Sequence, residues 1–282
     1  MHIGIAIIKL QLEKAVVWQG CGNGVCMSNS SGGSNLNLMD LFQEFRVVRE
    51  VAQFAQRAWT WPIAQRADHA RSILLIPGFL AADATLYPFA NWLRSRGHQV
   101  YFSGILANTD CPRRAVDRLG RILTELSAKT QGKLVIIGHS LGGIYARELA
   151  RRYPKLVDQV ILLGSPIHDP HKHSNPYVKM LAALTQRINS RNCECPGVSA
   201  NVCGVNQEEP PPGMRETLIY SKSDGVVDWE SCIESGPGIE AKEVKSTHIG
   251  IPYNLDTMRI IRERIESDTS STRAAQARMQ SG

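Results

Sequence analysis

The 282-residue chain has no apolar run approaching the roughly 18 to 20 residues of a membrane-spanning helix, so no integral membrane segment is expected. It has no positive charge ahead of its first apolar stretch, Ile3 to Ile8, and Lys9, Glu13 and Lys14 follow directly. That arrangement does not make a secretory signal peptide, and the expected location is cytoplasmic. Aromatic residues are few, at 6%, and they do not interleave with the basic residues in a way that would stack bases. Gly and Pro show no period of three, which excludes a collagen-like chain, and no repeat recurs at 20 to 50 residues. The seven cysteines lack a paired C-x-x-C pattern, which argues against a structural zinc site, and their odd number leaves at least one unpaired. Cys193, Cys195, Cys203 and Cys232 share one Pro- and Gly-containing stretch, where a local disulfide and free thiols are both open.

What is present suits a folded globular chain. Hydrophobic residues make up 43% and charged residues 21%, far from the composition that keeps a chain disordered. A net charge of +6 is unevenly spread: +9 lies in residues 40–190 and −5 in residues 191–245. The basic excess sits in helix-like stretches such as Arg113 to Arg121 and Arg147 to Lys155, which read as solvated helix faces, and no nucleic-acid partner is expected. The oligomeric state is not legible.

Residues 1–38, rich in Gly, Ser and Asn after position 19, are expected to be a flexible segment, with Met27 and Met39 as alternative starts. Leu41, Phe45, Val48, Val51, Phe54, Ala55 and Ala58 then recur at helical spacing up to Pro62. Short apolar runs follow at Ser72–Ile76, Val100–Phe102, Lys133–Ile137, Gln159–Leu163, Thr217–Tyr220 and Glu243–Lys245. Helix-length stretches lie near 84–96, 113–128, 141–153 and 175–190, and a last helix is expected over 254–266. Alternation of this kind specifies a doubly wound α/β domain over 39–266, with a mostly parallel sheet covered by helices on both faces. Residues 168–214 break the alternation and read as a small cap or lid insertion, and 267–282 as a disordered tail.

The strongest chemical signal is Gly138-His139-Ser140-Leu141-Gly142-Gly143, placed between the apolar run ending at Ile137 and a helical pattern. A serine on a sharp strand-to-helix turn presents its hydroxyl, and the helix N-terminus faces the place where negative charge would develop. Serine needs a base, and the base needs an orienting carboxylate. In this arrangement the order along the chain is nucleophile, acid, histidine, each on a turn after a strand. Asp224 follows Thr217–Tyr220, and His248 follows Glu243–Lys245. Asp228 competes with Asp224 but is better placed to cap the turn at Trp229. His139 is expected to diverge from Ser140 and pack. His168, His171 and His173 are read as loop residues, and His69 and His98 as surface or loop residues. Backbone N–H groups of Leu141 and Phe79 are the expected oxyanion donors, with Gly78 permitting close approach. No metal or cofactor is expected.

Leu75-Ile76-Pro77-Gly78-Phe79, Gly138-His139-Ser140-Leu141-Gly142-Gly143, Ser223-Asp224-Gly225-Val226-Val227 and Thr247-His248 together resemble the α/β-hydrolase superfamily, and within it bacterial lipase- and esterase-like serine hydrolases. The resemblance spans roughly residues 60–266. It implies the fold, catalytic roles for Ser140, Asp224 and His248, and hydrolysis of a small-molecule or lipid carboxylic ester without a cofactor. The chain departs from the His-Gly oxyanion loop of many lipases, carrying Pro77-Gly78-Phe79 instead, and Asp228 stands where related sequences often have Pro. Acyl transfer to an alcohol, thioester or amide cleavage, and a non-catalytic scaffold are the alternatives. The apolar residues of the insertion, including Tyr177 and Met180, would shape the acyl site or form the core of a cap helix.

Overall fold

The computed structural model describes residues 67–168 and 213–266. The chain divides into two units, Met1–Asn37 and Leu38–Gly282, and the described residues belong to the second. The expected N-terminal segment, the helix before Pro62, the insertion between His168 and Gly213, and the C-terminal tail lie outside the described residues.

Six strands form one sheet: β1 Ser72–Ile76, β2 Gln99–Phe102, β3 Leu134–His139, β4 Val157–Leu163, β5 Arg215–Tyr220 and β6 Ile239–Glu243. Their spatial order is β2-β1-β3-β4-β5-β6, and every pairing is parallel. Parallel strands need crossovers, here supplied by α1 Tyr87–Ser95, α2 Pro112–Thr130 and α3 Leu141–Arg152, with α4 Leu255–Glu266 closing the chain's path. The expected doubly wound domain is therefore present. α2 starts with Pro112, whose missing N–H would have been unpaired in the first turn anyway.

The period-two alternation of the strands sorts the core into two layers. Leu74, Ile76, Leu134, Ile136, Val160 and Leu162 pack with Val116, Leu119, Tyr145 and Leu149 of α2 and α3. Ile73, Leu75, Val135, Ile137, Ile161 and Leu163 point the other way, onto Phe89 and Leu93 of α1 and Met258 and Ile261 of α4. Strands buried on both faces read as continuous apolar runs, which is why β1, β3 and β4 were legible.

The last strand departs from expectation. It runs over Ile239–Glu243, starting four residues before the expected Glu243–Lys245 and ending two residues before it does. It is an edge strand of sequence IEAKE with no fully buried central position, so its apolar signal is weak, and Val244 just beyond it drew the assignment. Val244 N–H still donates to Tyr220 carbonyl at 2.8 Å, which carries the chain on to the following turn.

Chain order and spatial order part company at one place. The chain runs from β1 out to β2, then crosses back to β3 on the other side of β1. Turns leaving β1 and β3 at their carboxyl ends diverge there, and in open parallel sheets the resulting crevice is the usual ligand site.

Candidate active site

Ser140 occupies that crevice. It follows β3 directly and precedes α3, at φ 52° and ψ −120°, a backbone conformation that non-glycine residues rarely adopt. Its N–H donates to Leu163 carbonyl at the end of β4 (2.8 Å), and its carbonyl accepts from Gly143 N–H (2.9 Å). The glycines around it answer to space. A Cβ on Gly138 would collide with the Gly142 carbonyl, and one on Gly142 with the Ile76 carbonyl. Strand, turn and helix can cross this closely only where both residues lack a side chain.

Asp224 and His248 are brought together from turns 24 residues apart. His248 Nδ1–H donates to Asp224 Oδ2 at 2.6 Å, and both side chains are buried. The other carboxylate oxygen, Oδ1, accepts from Val226 N–H (2.8 Å) and Val227 N–H (2.9 Å), so the carboxylate is fixed from both sides. Asp228 does what its position suggested: it caps the short turn Trp229–Cys232 and accepts from Glu230 N–H.

Ser140 joins this pair through its neighbours. Gly164, at φ 56°, lies so close that a Cβ there would stand 3.3 Å from both Asp224 Oδ2 and His248 Nδ1, and it directly follows the Leu163 that holds Ser140. His139, expected to turn away and pack, has a more direct part: its Nε2–H donates to the His248 carbonyl at 2.9 Å, with the two rings 4.9 Å apart. Burial first, and the neighbouring His248 second, push the His139 ring down to about 3, so it stays neutral at ordinary pH. Among the described residues Ser140 Oγ has no hydrogen-bond partner.

The turn after β1 comes close to Ser140. Gly78 lies against the elbow, where a Cβ would stand 3.1 Å from Ser140 Cβ. Leu141 opens α3, so its N–H has no partner within the helix. No acceptor among the described residues takes the N–H of Phe79 or of Leu141.

Several supporting residues carried no sequence signal. Ser221 Oγ–H donates to Ser246 carbonyl (2.6 Å) and accepts from Ser246 N–H (3.1 Å), stitching the Asp224 turn to the His248 turn. Asn108 holds the Pro77–Ala81 loop. Serine and asparagine in loops are too common to stand out in a single sequence.

Other expectations resolve as follows. His98 is buried, not superficial, and its Nδ1 accepts from Arg71 N–H at 3.2 Å. His69 is half-buried. The His168 ring donates to Ile233 carbonyl at 2.9 Å, whereas His171 and His173 lie outside the described residues. Cys232 is a buried free thiol that burial pushes up to about 12, and Cys193, Cys195 and Cys203 lie outside the described residues.

Comparison with known proteins agrees with this architecture. Residues 113–190 match the alpha/beta hydrolase fold family. The lipase BlEst2 of Bacillus licheniformis in its mature form superposes with a TM-score of 0.51 at 11% identity, covering 73% of this chain and 96% of the lipase. The product of the gene lin2722 of Listeria innocua does so with a TM-score of 0.51 at 14% identity, covering 70% and 94%.

The chain has the α/β-hydrolase fold.

A stretch of 126 residues, 40% of this chain, is 28% identical to ethanol acetyltransferase 1 of Eremothecium cymbalariae. This chain matches about a third of that relative's length, 34%. In α/β hydrolases the chemistry is set by the residues on the turns beyond the sheet, so the fold alone does not choose between hydrolysis and transfer.

Proposed function

We propose that the protein is a serine hydrolase that cleaves carboxylic esters through an acyl-enzyme on Ser140. The observation that carries this reading is the placement of a serine at φ 52° on the strand-to-helix turn, in the same crevice as a buried Asp224–His248 pair hydrogen-bonded at 2.6 Å. Ser140 Oγ attacks the ester carbonyl carbon while its proton passes to His248 Nε2. Asp224, bonded to Nδ1–H, keeps Nε2 free to accept that proton and stabilises the imidazolium that results. The carbonyl oxygen, now negative, takes N–H groups of Leu141 and Phe79. Collapse breaks the bond to the alcohol, which leaves with the proton from His248. Water then attacks the acyl-enzyme, gives its proton to His248, and releases the acid as that proton returns to Ser140.

The test is covalent labelling with a fluorophosphonate. Wild-type protein is expected to react at Ser140, and Ser140→Ala to be unlabelled and to lose about 10⁴-fold or more in kcat. Equal labelling of the two would overturn the reading.

The acetyltransferase relative supports a second reading, in which an alcohol takes the place of water at the second step. Supplying ethanol with an acyl donor distinguishes the two, because transfer yields a new ester and hydrolysis yields free acid.

A further inference from the structure

Asn108 lies in the loop between β2 and α2 and is 1% exposed. Three hydrogen bonds tie it to the turn after β1. Its Nδ2 donates to Pro77 carbonyl (2.8 Å), its main-chain N–H donates to Ala81 carbonyl (3.0 Å), and its carbonyl accepts from Leu80 N–H (3.1 Å). The turn itself closes through Ala81 N–H to Gly78 carbonyl (3.1 Å), with Leu80 at φ 58° in its third position. That position favours glycine, and a leucine stays there only where its surroundings over-determine the backbone. Asn108 supplies that over-determination, since its bonds bracket Phe79 on both sides.

The amide, and not its shape, is what the site uses. Pro77 carbonyl requires a donor, which fixes Nδ2 toward it. Asn108 Oδ1 is then left buried with no hydrogen-bond partner. A buried unpaired oxygen is unfavourable, and an apolar residue of the same outline would avoid it, so the donor to Pro77 is the feature that asparagine contributes.

We propose that Asn108 is the positioning residue of the oxyanion site, holding the Pro77–Ala81 turn so that Phe79 N–H faces the carbonyl oxygen of the bound ester. This rests on the serine-esterase reading. Phe79 touches the reacting oxygen, and Asn108 acts through it. Losing one oxyanion donor lowers kcat by roughly 10² to 10³, and displacing it has an effect of the same kind.

Asn108→Leu keeps the outline and the main-chain bonds but removes the donor. With a p-nitrophenyl ester it is expected to lower kcat about 10²-fold while KM stays within about threefold. Its affinity for a trifluoromethyl ketone, which becomes an oxyanion on addition of Ser140, should fall in the same proportion. Asn108→Asp adds a second arm, because the protonated acid can donate to Pro77 and the carboxylate cannot. Its activity relative to wild type at each pH should rise as pH falls. Leu123→Ala, on the buried face of α2, is the stability control, expected to lower the unfolding midpoint while kcat stays within about twofold. Wild-type kcat in Asn108→Leu, undiminished ketone affinity, or a flat pH ratio in Asn108→Asp would each overturn the proposal. Should Ser140→Ala remain as active as wild type, the esterase reading itself fails; intact Asn108→Leu beside an inactive Ser140→Ala removes the Asn108 role alone.

Discussion

At the scale of single residues, the two aspartates of one turn divide their work by which groups they can reach. Asp224 places one oxygen on His248 Nδ1 and the other on two backbone N–H groups, whereas Asp228 accepts from Glu230 N–H and caps a short turn. In the sequence only position separates them, and in the fold their hydrogen-bond partners differ. Asp224→Asn is expected to lower kcat by about 10⁴, because an amide cannot hold His248 in the required tautomer. Asp228→Asn should leave kcat within a few-fold and lower stability by at most about 1 kcal/mol, since asparagine is itself a good cap. Steady-state kinetics beside a urea titration separates the two, and equal loss of kcat in both variants would sink the division. His139 was half legible. Its place beside the serine is in the sequence, but its bond to a carbonyl 109 residues away is not.

At the scale of elements, the elbow is a crossing of β3, a one-residue turn and α3 at distances that leave no room for side chains. Gly138 and Gly142 are the points where backbone meets backbone, facing the Gly142 and Ile76 carbonyls. Gly142→Ala must push α3 away from the end of β1, which carries the loop of Phe79, proposed above as an oxyanion donor. The variant is expected to lose 2 kcal/mol or more of stability, of the order seen for overpacking, and about 10²-fold in kcat. Thermal unfolding and kinetics check it, and a variant with wild-type values in both would show that the helix gives way freely. The strands of the sheet centre were readable because burial on both faces demands unbroken apolar runs. β6, at the edge, follows no such demand, and its register came only from its pairing with β5.

At the scale of the whole molecule, two buried groups pull the pH dependence of folding in opposite directions. His139 in the fold takes a proton only near pH 3, while in the unfolded chain it does so near 6.5, so its contribution weakens the fold as pH drops from 6.5 toward 3. Glu216 on β5 behaves the other way. It is buried with Arg147 of α3, whose Nε lies 3.4 Å from its Oε1 without forming a hydrogen bond, and Arg147 bonds Glu234 instead. Burial therefore outweighs the attraction of Arg147 and raises Glu216 to about 7. The folded chain keeps that proton up to about 7, while the unfolded chain releases it above 4.5, so this group weakens the fold as pH rises through that window. Urea midpoints measured from pH 4 to 8 should show His139→Gln flattening the loss on the acid side. Glu216→Gln should flatten the loss toward neutrality. Slopes identical to wild type in either variant would remove the assignment.

The sequence by itself determined the alternation of strands and helices, the elbow at Ser140, and the chain order that singled out Asp224 and His248. Each of these is local: a run of apolar residues, a spacing of glycines, a turn after a strand. The tertiary structure decided what depends on distant parts meeting. It put the β1 loop and the elbow in one crevice because the chain reverses its winding direction between β1 and β3. It set Asn108 against Pro77 across 31 residues, Ser221 against Ser246 across 25, and Arg147 against Glu234 across 87. A hydrogen bond is worth little until both partners are desolvated and aligned, and that condition is met only when the sheet has brought its turns to the same edge.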